Sequence, residues 1–241
     1  MKDARRLTRT RSKVLRALLR ITWCLLLTSG VAGQSLAVTN AQKGAVARLT
    51  REEIIEAERR LSELGYWAGE ADGYLDPISR HALTAFQKVE GRERTGRLTR
   101  EELQALREAE RPQPLEGGPP HVEIDIRRQV LFVVDGEGAV VRILPVSTGS
   151  EASYFDQGKR QRAHTPRGRF TVQRKINGWR LSTLGLLYYP NYFSGGFAIH
   201  GSPLVPAYPA SHGCVRIPMF ASKEFSEMAP VGTPVIVHDG T

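Results

Sequence analysis

Apolar positions recur along the chain with two periods, and the change falls near residue 120. Ile54, Ala57, Leu61 and Leu64 keep helical spacing behind Thr50-Arg51-Glu52-Glu53. That run is a capping box, with Thr50 as N-cap and Glu53 reaching back, and Gly65 ends the helix. After a loop over 69–74, Asp76-Pro77 opens a second helix, with Asp at the N-cap and Pro at the first helical position. Its apolar face is Ala82, Leu83, Phe86 and Val89. Thr99-Arg100-Glu101-Glu102 repeats the box and starts a third helix carrying Leu103 and Leu106. From His121 onward the period is two: Val122, Ile124 and Ile126 alternate with polar residues. Val130-Leu131-Phe132-Val133-Val134 is a continuous apolar strand, Asp135-Gly136-Glu137-Gly138 a hairpin turn, and 139–144 the returning strand. Segments 169–173, 196–199 and 234–237 read as further strands, with one helix near 220–228. The fold class is therefore α+β in two domains: a small three-helix bundle followed by a mainly β sandwich or barrel.

Between the two lies 111–120, whose prolines and glycines forbid helix or ladder and favour an extended tether. The expected organisation is a signal peptide over 1–37, a flexible segment over 38–49, helices over 50–110, the linker over 111–120, and the β domain over 121–238.

Composition supports a globular protein: 41% hydrophobic and 24% charged among 241 residues. The net charge of +9 at first suggests an anionic partner. Residues 1–20 carry eight basic side chains against Asp3, which is +7 of that total and leaves +2 for the rest. No stripe of basic residues interleaved with aromatics is present, so nucleic acid is not an expected partner. The basic start runs into the apolar Ile21-Thr22-Trp23-Cys24-Leu25-Leu26-Leu27 and then small residues, the layout of a secretory signal cleaved after Ala37. The alternative is an uncleaved anchor, for which the apolar run is short. Export to the periplasm or cell wall, with no membrane span after cleavage, is the expectation.

Export changes the meaning of the cysteines. Cys24 lies in the signal, so the mature chain keeps Cys214 as an unpaired thiol. A cysteine nucleophile needs thiolate character, a base within reach, and donors for an oxyanion. Two histidines are candidates for the base. His212 lies two residues before Cys214, which in an extended segment places them on one face. His200 follows the apolar strand 196–199 and is rigidly placed at its end. Gly201 and Gly213 permit close backbone approach beside each. Zinc ligation by His200, His212 and Cys214 is the competing reading, weakened by the lack of a C-x-x-C pair or a fourth ligand. Trp179, Tyr188, Tyr189, Tyr192 and Phe193 form an aromatic stretch without a clean period, readable as a lid over a cleft or as core.

Ile199-His200-Gly201-Ser202 followed by Ser211-His212-Gly213-Cys214-Val215-Arg216 resembles the signature of the L,D-transpeptidase (YkuD-type) catalytic domain. Ser147-Thr148-Gly149 and Thr165-Pro166-Arg167-Gly168-Arg169-Phe170 match two more of its stretches, and the likeness spans about 121–238. Upstream, Ala57 to Tyr66, Asp72-Gly73-Tyr74, Ala82 to Gln87 and Thr95-Gly96 resemble a peptidoglycan-binding domain. The resemblance implies Cys214 as nucleophile, His200 as base and the Gly201 carbonyl as its orienting group. It implies an oxyanion site from His212, Gly213 and the Cys214 N–H. Arg216 would meet a substrate carboxylate, with Ser211 and Tyr192 as further substrate contacts. The implied reaction cross-links peptidoglycan stem peptides through a thioester, releasing D-alanine, with no metal or cofactor. Carbapenem β-lactams are implied inhibitors. A hydrolase resolving the same thioester with water, and a non-catalytic wall-binding protein, are the alternatives.

Overall fold

The computed structural model describes residues 48–240. The expected signal over 1–37 and nearly all of the segment 38–49 lie outside them.

The helical part comprises α1 (Arg51–Glu63), α2 (Pro77–Val89) and α3 (Arg100–Glu108). The box at α1 closes in both directions: Thr50 Oγ1 accepts the Glu53 N–H at 3.2 Å, and Glu53 Oε2 accepts the Thr50 N–H at 2.7 Å. Asp76 caps α2 by accepting the Ser79 N–H at 2.8 Å. The second box is only half made. Thr99 accepts the Glu102 N–H, but the Glu102 carboxylate turns to the Arg92 guanidinium at 3.0 Å. A nearly buried carboxylate gains more from a charged partner than from one amide.

The β part holds twelve strands among the described residues. The first sheet contains β1 (His121–Asp125), β2 (Val130–Val134), β3 (Val140–Pro145), β6 (Gly168–Thr171) and β12 (Pro234–His238). Their order is β3-β2-β1-β12-β6, with β1 and β12 parallel. The second sheet contains β7 (Arg174–Lys175), β8 (Trp179–Ser182), β9 (Gly185–Ser194), β10 (Phe197–Ser202) and β11 (Val215–Pro218). Its order is β11-β10-β9-β7, with β8 paired to β9 and β10 parallel to β11. A separate hairpin joins β4 (Ser153–Asp156) to β5 (Lys159–Arg162). After β11, a 3-10 turn (Met219–Ala221) leads into α4 (Ser222–Met228).

The continuous apolar run of β2 has a direct cause: both of its faces are covered. Leu131 and Val133 join Val122, Ile124, Phe193, Ile199, Val215 and Val235 in the core between the sheets. Val130, Phe132 and Val134 point the other way, into a core shared with Leu61, Leu64, Tyr66, Leu83 and Phe86 of the helical part. Successive side chains of a strand alternate in face, so a strand covered on both sides loses its polar positions. The helices therefore pack on the outer face of the first sheet. The tether expected over 111–120 has neither helix nor strand, yet it is held down. Arg111 donates to the Val140 and Glu63 carbonyls, and the buried Glu123 accepts the N–H groups of Leu115 and Glu116 at 2.8 Å each.

Candidate active site

The placement of the site follows from strand register. β10 and β11 run parallel with His200 opposite Arg216 and Ile199 opposite Val215. Alternation sends Ile199, Val215 and Ile217 into the core and His200 and Arg216 to the other face. Cys214 stands two residues before Arg216, on the extension of that same face. The strand pair thus gathers His200, Cys214 and Arg216 along one wall of a cleft of about 610 Å³.

Opposite His200 the ladder between β9 and β10 is broken. Asn191 pairs with Ile199 and Tyr188 with Gly201, so three steps on β9 face two on β10. Pro190 brings no N–H to the ladder, and Tyr189 takes a positive φ of 47°. Such a bulge re-aims side chains beside it.

The His200 ring is buried, and its Nδ1 lies 2.9 Å from the Gly201 carbonyl. A carbonyl only accepts, so Nδ1 carries the proton and Nε2 keeps its lone pair. Burial pushes the imidazole pKa down to about 4, against the pull of the Gly201 carbonyl, and Arg216 lowers it further. Gly201 has no room for a side chain: a Cβ would stand 2.1 Å from Ser222 Oγ at the head of α4.

Cys214 is partly exposed, and burial of its thiol pushes its pKa up. Its Sγ faces the Gly196 carbonyl at 3.8 Å, and among the described residues no hydrogen bond joins it to the His200 ring. Burial thus favours the neutral form of both the imidazole and the thiol. Such contacts commonly tighten only when substrate is bound.

The loop ahead of Cys214 is tightly determined. Ser211 Oγ donates to the Cys214 carbonyl at 2.5 Å and accepts the Gly213 N–H at 2.9 Å. Thr165 Oγ1 donates to the Gly213 carbonyl at 2.8 Å and accepts the Gly149 N–H at 2.9 Å. Gly213 has φ of 137°, and a Cβ there would lie 2.5 Å from the Phe197 ring. Both facts require glycine.

The remaining expected site residues are distributed as follows. His212 is exposed at the rim, its ring edge-on to Tyr154 at 4.6 Å. Ser211 lines the cleft but its hydroxyl is engaged within the loop. Tyr192 is 7% exposed and packs with Leu187, Ala198 and Cys214, beneath Arg174 at 3.8 Å. Among the described residues no group of three His, Cys, Asp or Glu side chains is placed to hold a metal.

The aromatic stretch without clean period is the β8–β9 hairpin. It divides its residues: Phe193 is fully buried in the core, whereas Trp179 is half exposed on the cleft wall, tilted against Tyr188 at 4.8 Å. Arg180 and Leu186 of the hairpin, with Tyr154 and Asp156 of β4, also line the cleft and were not anticipated. For Arg180 and Leu186 the short alternation around Ser182-Thr183-Leu184-Gly185 was the available signal. For Tyr154 there was none.

Residues 119–237 match the L,D-transpeptidase catalytic domain family, and residues 50–106 match a peptidoglycan binding domain family. A crystal structure of the L,D-transpeptidase from Xylanimonas cellulosilytica is 40% identical with a TM-score of 0.74, and the match covers 77% of this chain and 93% of that one. An L,D-transpeptidase structure from Stackebrandtia nassauensis is 24% identical with a TM-score of 0.46, covering 78% and 92%. No curated protein matches the chain. On the Xylanimonas match and the two domain matches, the chain belongs to the L,D-transpeptidase family, with a domain of the peptidoglycan-binding family ahead of its catalytic domain.

Proposed function

We propose that this protein cross-links peptidoglycan stem peptides through a thioester formed on Cys214. The observation that carries the reading is the single wall on which register gathers a neutral, Nδ1-protonated His200, Cys214 and Arg216. His200 Nε2 takes the thiol proton as Sγ attacks the carbonyl between the diamino acid and the terminal D-alanine. The C–N bond breaks, and the D-alanine amine leaves with that proton. The amine of a second stem then attacks the thioester, forming the cross-link and returning the thiol. A pKa near 4 leaves His200 Nε2 unprotonated and its lone pair free at neutral pH, while burial of both groups opposes the thiolate–imidazolium pair, which bound substrate must therefore stabilise as the contact tightens.

In this reading the Gly201 carbonyl orients His200, and Arg216 receives a stem carboxylate. The N–H of Cys214, with Gly213 and His212, meets the oxyanion, although the Gly213 N–H must first leave Ser211 Oγ. Ser211 shapes the loop, and Tyr192 forms the floor under the acyl group. Residues 50–110 hold the enzyme on the wall, and the segment 1–37 directs its export. Among the described residues no helix is long and apolar enough to cross a membrane. A carbapenem acylates Cys214.

The test is incubation with disaccharide-tetrapeptide, with products followed by mass. Cross-linked dimer lost in Cys214→Ala supports the proposal. Disaccharide-tripeptide without dimer makes the protein a hydrolase, and unchanged substrate with no carbapenem adduct makes it non-catalytic.

A further inference from the structure

Lys88, in the last turn of α2, is 1% exposed. Its ammonium donates to two backbone carbonyls of the β domain, Gln129 at 3.0 Å and Val146 at 2.9 Å. Gln129 precedes β2 in a positive-φ conformation (62°) and is itself buried. Its side-chain amide clasps Thr148 from both ends: Nε2 donates to Thr148 Oγ1 at 2.6 Å, and Oε1 accepts the Thr148 N–H at 2.9 Å. The Thr148 carbonyl accepts the N–H groups of Ala210 and Ser211 at 3.0 and 2.9 Å. Ser211 Oγ then bridges the Gly213 N–H and the Cys214 carbonyl. One unbroken run of hydrogen bonds joins the helical part to the cysteine loop, and Lys88, Gln129, Thr148 and Ser211 along it are all buried.

A buried cation is normally met by a carboxylate, and an aliphatic side chain in its place often costs nothing. Here the helices and the sheet already share an apolar core that includes Leu83, Phe86, Val130, Phe132 and Ile143, and no carboxylate accepts from the Lys88 ammonium among the described residues. Burial pushes the Lys88 pKa down to about 7, so the charge is held at a cost. Adhesion between helices and sheet does not need it. What the ammonium adds is direction, because it fixes two specific carbonyls at the two ends of the β2–β3 hairpin, one on Gln129, which holds Thr148, and one two residues before Thr148.

We propose that Lys88, Gln129 and Thr148 are positioning residues for Cys214, so that docking of the helical domain is part of assembling the active centre. The proposal rests on Cys214 being the nucleophile. None of the three touches substrate; they act through the backbone of Ser211–Cys214.

The experiment uses the full mature chain with Lys88→Met, Lys88→Arg and Thr148→Val. Leu103→Ala, in the helical core and outside the run, serves as a control for lost stability. Two rates are read well below each melting temperature: alkylation of Cys214 by iodoacetamide, followed on its peptide by mass, and D-alanine release from disaccharide-tetrapeptide. Lys88→Met and Thr148→Val are expected to lower kcat by about tenfold or more at unchanged KM, since small misplacements are costly. Both shift the alkylation rate, Lys88→Arg restores part of each, and Leu103→Ala changes neither. Unchanged kcat and alkylation in Thr148→Val overturn the proposal, as does an equal change in Leu103→Ala. Thr148→Val keeps the shape and loses one hydroxyl, so it decides the matter if Lys88→Met does not fold. Alkylation requires no turnover, so a protein without transpeptidase activity still reports on the positioning run.

Discussion

β2 and the β8–β9 hairpin are both rich in apolar residues, yet they end in opposite environments. All five side chains of β2 are buried. On the hairpin, Trp179, Leu181 and Leu186 stay 53%, 70% and 57% exposed. The difference lies in what covers each face. β2 has helices on one side and the second sheet on the other, whereas the hairpin borders the cleft. Apolar character by itself does not mark core in this molecule; a second layer must be present to cover it. Exposed apolar surface beside convergent polar groups is instead the composition of a ligand site.

The sharpest way to break this comparison is in the cleft itself. His200→Ala should lower turnover by roughly 10²–10⁴-fold, the usual contribution of a positioned base, while the melting temperature hardly moves. A large drop in melting temperature would make His200 part of the core. At the seam the pattern inverts: Phe132→Ala should cost about 3–5 kcal/mol of stability, measured by denaturant unfolding. Trp179→Ala should fall within about 0.5 kcal/mol of the parent and raise KM. Equal losses from the two aromatics would erase the distinction between seam and cleft.

A pH profile sharpens it further. His200 must be neutral to act as base, and its pKa near 4 puts the acid limb of carbapenem acylation near pH 4. An acid limb near 6.5 would mean the ring is solvated and ordinary. The same shift acts on stability. Between about 4 and 6.5 the unfolded chain binds a proton that the folded chain refuses, so stability falls as pH drops through that window. A local effect concerns the caps. Thr50→Ala removes a closed box and should cost about 1 kcal/mol, more than Thr99→Ala, whose box is half made.

The helices were legible because cap chemistry and apolar period are local, and all three begin where Thr50, Asp76 and Thr99 place them. The second box failed because Arg92 is distant enough in sequence that no local rule includes it. β1, β2, β3 and β12 were legible from their apolar patterns. The exposed β4–β5 hairpin carries Lys159, Arg160, Gln161 and Arg162, which no burial rule marks as strand. β9 hid because Pro190 and the positive φ at Tyr189 interrupt its period opposite His200. At the candidate site, the motif spacing pointed to His200, Gly201, Gly213 and Cys214, and His200 and Cys214 line one cleft. It did not reveal that Ser211 bonds inward, which depends on how the 211–214 turn folds on itself, or that Tyr154 meets His212, which depends on segments far apart in the chain. Docking of the helices was written in the unbroken apolar run of β2, whose second face needed a cover.

The central claim is that Cys214 carries the acyl group. The direct measurement is to quench the enzyme in acid during turnover of disaccharide-tetrapeptide and map its peptides by mass. The account predicts a disaccharide-tripeptide adduct, released by hydroxylamine, on the peptide containing Cys214. Dimer formation without that adduct, or undiminished dimer formation by Cys214→Ala, would contradict it.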